Sequence, residues 1–314
     1  MKANIIVECC QNHNADQEVL KKMIHEAAEN GANFVKIQSI RSRELTFRER
    51  FEHGETDQYG NIKVIKRPYK TELERLQKLD LTIEKEQWFV DECRKAGVKS
   101  MTTTFTKDSI DEVKDLNFDA IKVASYDCSA IPLLVRLKEL EKKLFISTGA
   151  TYDDEISEAC KALDGSDFEL LHCVTIYPTP MDQLNLARIE YLQKFTPKVG
   201  YSDHSNPYEN GTIPTKIALA LGATCIERHY TVLKPDETRD GPVSINPGML
   251  RDLRTFADYD NETQWGVINK EFPEWKLTLG DPERQLSHHE ELNRDYYRGR
   301  FASIRDDGYD YNWE

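Results

Sequence analysis

Two histidines carry the first chemical signal in this chain. His204 in Tyr201-Ser202-Asp203-His204 and His229 in Glu227-Arg228-His229-Tyr230 each stand at or just after the end of a short apolar run. These runs are consecutive strand candidates, and strands of one parallel barrel present their carboxyl ends side by side. Two imidazoles meeting there can share a divalent cation and leave most of its coordination positions open to a substrate oxygen, as a catalytic metal requires. Asp203 and Glu227 stand next to them as candidate supporting partners. A lone histidine is more often a hydrogen-bonded structural residue, so the weight rests on the pair.

Polar residues also end the other runs: Glu8, Lys36 with Gln38, Thr103, Lys122 with Ser125, Ser147 with Thr148, His172, and Ser202. Lysines and hydroxyls gathered at one mouth can hold a phosphate and a carboxylate. Glu8 can serve as a general base or orient a water, or it can pair with a barrel lysine. Asp127 either reaches the mouth or caps the helix that begins near Ser129. Phe105 and Tyr177 wall a pocket or pack beneath a loop.

Eight strand-like runs position these residues, at 5–7, 34–37, 100–103, 120–123, 144–146, 168–171, 199–201 and 224–226. Helical spacing fills the intervals, as in residues 17–30, 84–96 and 214–221, which stop at Gly31, Gly97 and Gly222, and in residues 153–163. Eight alternations predict an α/β fold, a (β/α)8 TIM barrel over residues 1–262, with a short C-terminal extension over 263–314. An open doubly wound sheet shares the alternation but usually carries a glycine-rich phosphate turn after its first strand, and Glu8-Cys9-Cys10-Gln11-Asn12-His13 is no such turn. The connection of about forty residues after Ser39 far exceeds the usual two to six and predicts a lid over the mouth. A last helix is expected from Pro247 to Asp258, and the tail after it is too short for a sizeable second core.

Composition narrows the function classes. A formal charge of −13 argues against a nucleic-acid backbone binder, so any anionic ligand must be met by local cations. Met1-Lys2-Ala3-Asn4 runs straight into Ile5-Ile6-Val7 without a signal-peptide pattern, and no stretch approaches a membrane span. Seven scattered cysteines without a Cys-x-x-Cys pair suit buried thiols in a reducing compartment, so a cytoplasmic protein is expected.

Read in order, the strand ends resemble the sialic acid synthase family of phosphoenolpyruvate-dependent nonulosonate synthases. The resemblance runs through Glu8 with Asn12-His13-Asn14, Val35-Lys36-Ile37-Gln38, Thr103-Thr104-Phe105, Ile121-Lys122-Val123 with Ser125, and Ser147-Thr148-Gly149. It continues through Leu171-His172-Cys173, Ile176-Tyr177-Pro178-Thr179-Pro180, Ser202-Asp203-His204 and Glu227-Arg228-His229-Tyr230-Thr231, covering roughly residues 4 to 250. It implies condensation of phosphoenolpyruvate with an open-chain N-acetylated amino sugar or related aldose, giving a 2-keto-3-deoxy sugar acid and phosphate. By the same resemblance His204 and His229 are the metal ligands, the ion being manganese with magnesium or cobalt as alternatives. Lys36, Thr103, Lys122, Ser125, Ser147 and Ser202 would hold phosphoenolpyruvate. Glu8 would position the attacking water, and Gln38, Phe105, Asp127, Tyr177 and Asp240 would face the sugar.

The sequence departs from the family pattern on the sugar side. Asp127 stands where glutamate is common, and Asp240-Gly241-Pro242-Val243-Ser244 replaces a Gly-Pro-Asp sequence, leaving Asp240 as the substitute aspartate. Family members append an antifreeze-like domain whose arginine enters the partner's site in a swapped dimer. Here Arg298-Gly299-Arg300-Phe301-Ala302-Ser303 resembles the entry to that domain and eleven residues follow, so the expectation is a homodimer without the swap, in which Arg298 or Arg300 substitutes. Two other functions compete: a Schiff-base aldolase using Lys122 or Lys36, and an inactive barrel kept as a binding protein.

Overall fold

The computed structural model describes residues 2–314. Eight parallel strands close into a barrel, each hydrogen-bonded to its neighbours in chain order. They are β1 (Asn4–Cys10), β2 (Phe34–Ser39), β3 (Lys99–Thr104), β4 (Ala120–Val123), β5 (Lys143–Ser147), β6 (Phe168–His172), β7 (Val199–Asp203) and β8 (Cys225–His229). The closing pair is β1 with β8, in a register that sets Glu8 beside His229.

The two-residue period of a strand explains both the core and the site. Outward residues such as Ile5, Val7, Val35, Ile37, Ile121, Val123, Leu144 and Ile146 pack under the surrounding helices. Inward residues Ile6, Phe34, Met101, Ala120, Phe145, Leu171 and Cys225 form a separate apolar layer across the barrel. Gly200 completes that layer, because a Cβ there would lie 2.4 Å from Cys225 Sγ and 2.7 Å from Leu171 Cδ2. Two residues further along the same inward faces come Glu8, Lys36, Thr103, Lys122, Ser147, Ser202 and Glu227. The apolar layer thus becomes the floor on which the polar layer stands.

The helices that pack outside include α1 (Gln17–Glu29), α2 (Ile83–Ala96), α3 (Asp153–Ala162), α4 (Ile213–Ala220) and α5 (Pro247–Ala257). Their ends follow local chemistry. The Asp16 carboxylate accepts from the Glu18 and Val19 N–H groups at the start of α1, and Gly97 at φ 75° ends α2.

The connection between β2 and α2 is not a bare loop. It contains a hairpin of Glu55–Thr56 with Ile62–Val64 and a helix at Tyr69–Gln77. The C-terminal segment, with helix α6 (His288–Tyr297), folds onto this excursion. Leu45 bridges Phe301, and the Thr46 hydroxyl donates to the Gly299 carbonyl at 2.7 Å. Two small apolar clusters join the segments, Ile40, Leu45, Leu76 and Phe301 in one and Phe51, Val64 and Tyr296 in the other. The excursion and the tail therefore share their apolar residues in a single roof over the barrel mouth, where sequence reasoning expects a lid from the excursion alone. Among the described residues no helix is long and apolar enough to cross a membrane.

Candidate active site

A cavity of about 570 Å³ opens at the carboxyl ends of the strands. Its wall contains Glu8, Lys36, Gln38, Thr103, Phe105, Lys122, Ser125, Ser147, Tyr177, Ser202, His204, His229 and Asp240, so one chamber brings together every predicted site residue except Asp127.

Four charges organise its floor. Lys36 pairs with Glu8 and lies 3.0 Å from Glu227, while Lys122 is 3.7 Å from Glu227 and donates to the Ser147 hydroxyl at 2.6 Å. All four side chains are nearly sealed from solvent. Burial works against the charge on Lys36, but Glu227 and Glu8 outweigh it and hold the ammonium above its ordinary range. Lys122 moves the other way: burial lowers its pKa, Glu227 opposes, and the like charge of Lys36 adds to the depression. Burial also opposes ionisation of Glu227, yet Lys122 and Lys36 keep it a carboxylate. Lys36 is committed to two acids. Lys122, with one distant acid, is the cation free to meet a substrate anion.

At the rim, His204 and His229 approach with ring centroids 5.6 Å apart. His204 Nδ1 donates to the Val174 carbonyl at 2.8 Å, which fixes the tautomer and turns the Nε2 lone pair toward the cavity. Burial, reinforced by His229, pushes the His204 pKa down to about 3, so the ring is a neutral donor. Tyr177, half-exposed, donates to that Nε2 at 3.0 Å. His229 Nδ1 is buried without a hydrogen-bond partner, 3.6 Å from Asp240 Oδ2. Donor atoms of Cys10, His229 and Asp240 all lie within 4.8 Å of one another. The neutral His204 imidazole, the orphaned ring nitrogen of His229 and the Asp240 side chain form a donor set that fits a divalent transition ion.

Two expectations are corrected. Asp203 does not support His204, because adjacent residues of a strand face opposite sides: Ser202 points inward, whereas Asp203 points out and pairs with Arg228 at 2.6 Å. Asp127 does not face the cavity. Its carboxylate accepts from Asn312 at 2.8 Å in a small neighbouring pocket behind Tyr126 and Tyr297, and burial raises its pKa to about 7 against that hydrogen bond. Neither of its sequence readings foresees a partner in the tail.

Sequence reasoning also passed over several cavity residues. Cys10, Gln11, Arg67, Arg75, Arg239, His289 and Asn293 all line the wall. They lie off the strand-end pattern, although Cys10 closes β1 with a φ of 46°, a conformation uncommon for a side-chain-bearing residue. Arg300, one of the two tail arginines suggested as substitutes, lines the cavity; Arg298 instead lies over Trp313, near Glu155.

Comparison with known proteins finds relatives over most of the chain. The chain is 32% identical over 268 residues to the N,N'-diacetyllegionaminic acid synthase of Campylobacter jejuni, covering 81% of this chain and 75% of that protein. It is 31% identical over 262 residues to the N-acetylneuraminate-9-phosphate synthase of Drosophila melanogaster, covering 80% and 66%. The crystal structure of an N-acetylneuraminic acid synthetase from Leptospira borgpetersenii superposes with a TM-score of 0.71 at 26% identity, covering 94% of this chain and 91% of that one. The NeuB family model matches residues 23–262, a span that takes in every barrel strand but the first. By this match and the similarity to the Campylobacter protein, the chain belongs to the NeuB family.

Proposed function

We propose that this chain condenses phosphoenolpyruvate with an open-chain aldose, in a reaction that depends on a divalent metal, to give a 2-keto-3-deoxy sugar acid and phosphate. The observation that carries this reading is the single cavity in which Lys36, Lys122, Glu8 and Glu227 lie one strand period below His204 and His229. Within the expected barrel domain of residues 1–262 the described residues supply the floor and rim, and residues 263–314 supply part of the roof.

Lys122 meets the anionic groups of phosphoenolpyruvate, with Lys36 adding positive potential from between its two acids. Thr103, Ser125, Ser147 and Ser202 surround them as hydroxyl donors. His204 and His229 would hold the metal, with Asp240, expected from the sequence to face the sugar, close enough to His229 to join them, and manganese is the ion favoured by the family resemblance. When bound, such a cation polarises the sugar aldehyde as a Lewis acid. Gln38, Phe105 and Tyr177 then orient the acceptor against the enol carbon of phosphoenolpyruvate. As the enol carbon bonds the aldehyde carbon, the carbonyl π pair moves to the aldehyde oxygen, which takes a proton from solvent to become a hydroxyl, and C2 is left electron-poor. Glu8 orients a water toward C2 and takes its proton, and the resulting adduct expels phosphate to leave the ketone. Asp127 has no part in this scheme, since Asn312 holds its carboxylate elsewhere.

Removing the Lys122 ammonium is expected to separate the two substrates. Lys122→Ala should weaken phosphoenolpyruvate binding by roughly tenfold or more, the scale of a charge-assisted hydrogen bond, while sugar binding changes little. Calorimetric titration of each substrate checks this, and equal losses for both would refute the phosphate role.

A Schiff-base aldolase remains a second reading because the Lys122 pKa moves in the direction such a nucleophile needs. Lys36 is not suited to it, being held protonated by Glu227 and Glu8. Incubation with phosphoenolpyruvate, aldose and borohydride should leave the protein mass unchanged if the condensation is metal-dependent. A reduced adduct on Lys122 would instead establish the aldolase.

A further inference from the structure

The roof of the cavity carries more positive charge than the condensation uses. Arg75 on the helix at Tyr69–Gln77, Arg239 after β8 and Arg300 in the tail all line the chamber, and all three converge on the single carboxylate of Glu72. Arg75 donates to it through Nε at 3.0 Å and Nη2 at 2.8 Å, Arg300 pairs with the same carboxylate, and Arg239 Nη1 lies 3.9 Å away. Glu72 is not among the residues of the cavity wall and therefore holds the guanidiniums from behind. One negative charge set against three leaves a local excess of two in a chain whose net charge is −13.

The remaining bonds of these arginines place them without neutralising them. Arg75 Nη1 donates to the Gln11 amide oxygen at 2.6 Å. Arg300 lies over the rings of Phe301 and Tyr297, at 4.7 and 5.4 Å from their centroids, and its buried Nε has no hydrogen-bond partner. The acids of the cavity wall are Glu8, Glu227 and Asp240; the first two are paired with lysines and the third faces His229. A guanidinium cannot shed its proton to relieve this imbalance, and its planar fork matches a phosphate or carboxylate. Neutral sugar hydroxyls would leave the charge uncompensated.

We propose that Arg75, Arg239 and Arg300 form a second anion site, which grips a phosphate or carboxylate group carried by the acceptor sugar. This rests on the condensation proposed above, in which the floor lysines take phosphoenolpyruvate and leave the roof to the acceptor. The three arginines come from segments far apart in sequence, so their convergence is a product of the fold and not of a charged run along one helix. They act as specificity determinants for the acceptor.

Calorimetric binding of matched sugars to the intact protein tests the site: N-acetylmannosamine against its 6-phosphate, and mannose against mannuronate. The charged member of at least one pair is expected to bind about tenfold or more tightly, the worth of one charge-assisted hydrogen bond, and the advantage should shrink as salt rises. Which pair shows the gain identifies phosphate or carboxylate as the group read. Arg239→Met, at a half-exposed position, and Arg75→Met should abolish the advantage without changing phosphoenolpyruvate affinity. Equal affinity within both pairs would overturn the proposal. So would a loss of phosphoenolpyruvate affinity in the arginine variants, which would make the roof the phosphoenolpyruvate phosphate site. Phosphoenolpyruvate titrated alone reports on the condensation separately, so a protein that fails to bind it while still preferring the charged sugar refutes that reaction and not the anion site.

Discussion

His204→Ala and His229→Ala are each expected to abolish metal-dependent turnover while leaving the barrel folded. A Lewis acid supplies several kcal/mol of transition-state stabilisation, so loss of one protein ligand should lower kcat/KM on the order of a thousandfold or more. The fold should survive because both imidazoles stand at the cavity rim, above the apolar layer that fills the barrel. His204 donates to the Val174 carbonyl and accepts from Tyr177, on whose ring it stacks, whereas His229 Nδ1 has no hydrogen-bond partner. His172, at the end of a neighbouring strand, is not part of the cavity wall; its Nε2 bonds the Leu184 carbonyl and its ring stacks on Tyr201, which makes it a buried structural histidine. Manganese content after dialysis, phosphate release and thermal melting together check the prediction. Normal activity in either variant would remove that histidine from the metal site.

Much of this site was legible because strand geometry is regular. Once Ile6, Phe34 and Met101 are recognised as inward, Glu8, Lys36 and Thr103 must follow them on the same face. The same parity was available for Asp203, which neighbours the inward Ser202 and therefore points out; attention to its closeness to His204 in sequence concealed that. Glu227 was noticed beside His229, but its place between two lysines depends on which strands lie across the barrel, and no local pattern states that. The roof was illegible for a different reason. Its segments are held by the Leu45–Phe301 bridge and by Phe51 against Tyr296, contacts between residues hundreds of positions apart with no shared period. Arg75, Arg239 and Arg300 could not be assembled before that roof was seen, and the Asn312 partner that draws Asp127 away comes from the same tail.

The largest stability effect is expected on the outer face of the same two strands. Arg228 and Asp203 are both 0% exposed and 2.6 Å apart, and Asp203 also accepts from Thr215 at 2.6 Å and from the Ser205 N–H at 2.8 Å. Arg228 in turn donates to the Ser205 carbonyl at 3.2 Å and the Val243 carbonyl at 3.3 Å, tying β8 to the loops that follow β7 and β8. Arg228→Met leaves a carboxylate buried without its counter-charge, which should cost about 3–5 kcal/mol, the usual penalty for breaking a buried pair from one side. Asp203→Asn with Arg228→Met should recover part of that loss, since no charge is then stranded. Burial alone would raise the Asp203 pKa, but Arg228, Thr215 and Ser205 hold it below the ordinary carboxylate range. A carboxyl whose pKa is lower in the folded than in the unfolded chain stabilises above its unfolded value, near 4, and loses that contribution as pH falls through its folded value. Denaturant titrations should therefore show the wild-type advantage over the double variant at neutral pH narrowing on acidification below about pH 4. A single Arg228→Met variant as stable as the wild type would show that solvent reaches Asp203 and that this pair does not hold the two histidine-bearing strands in place.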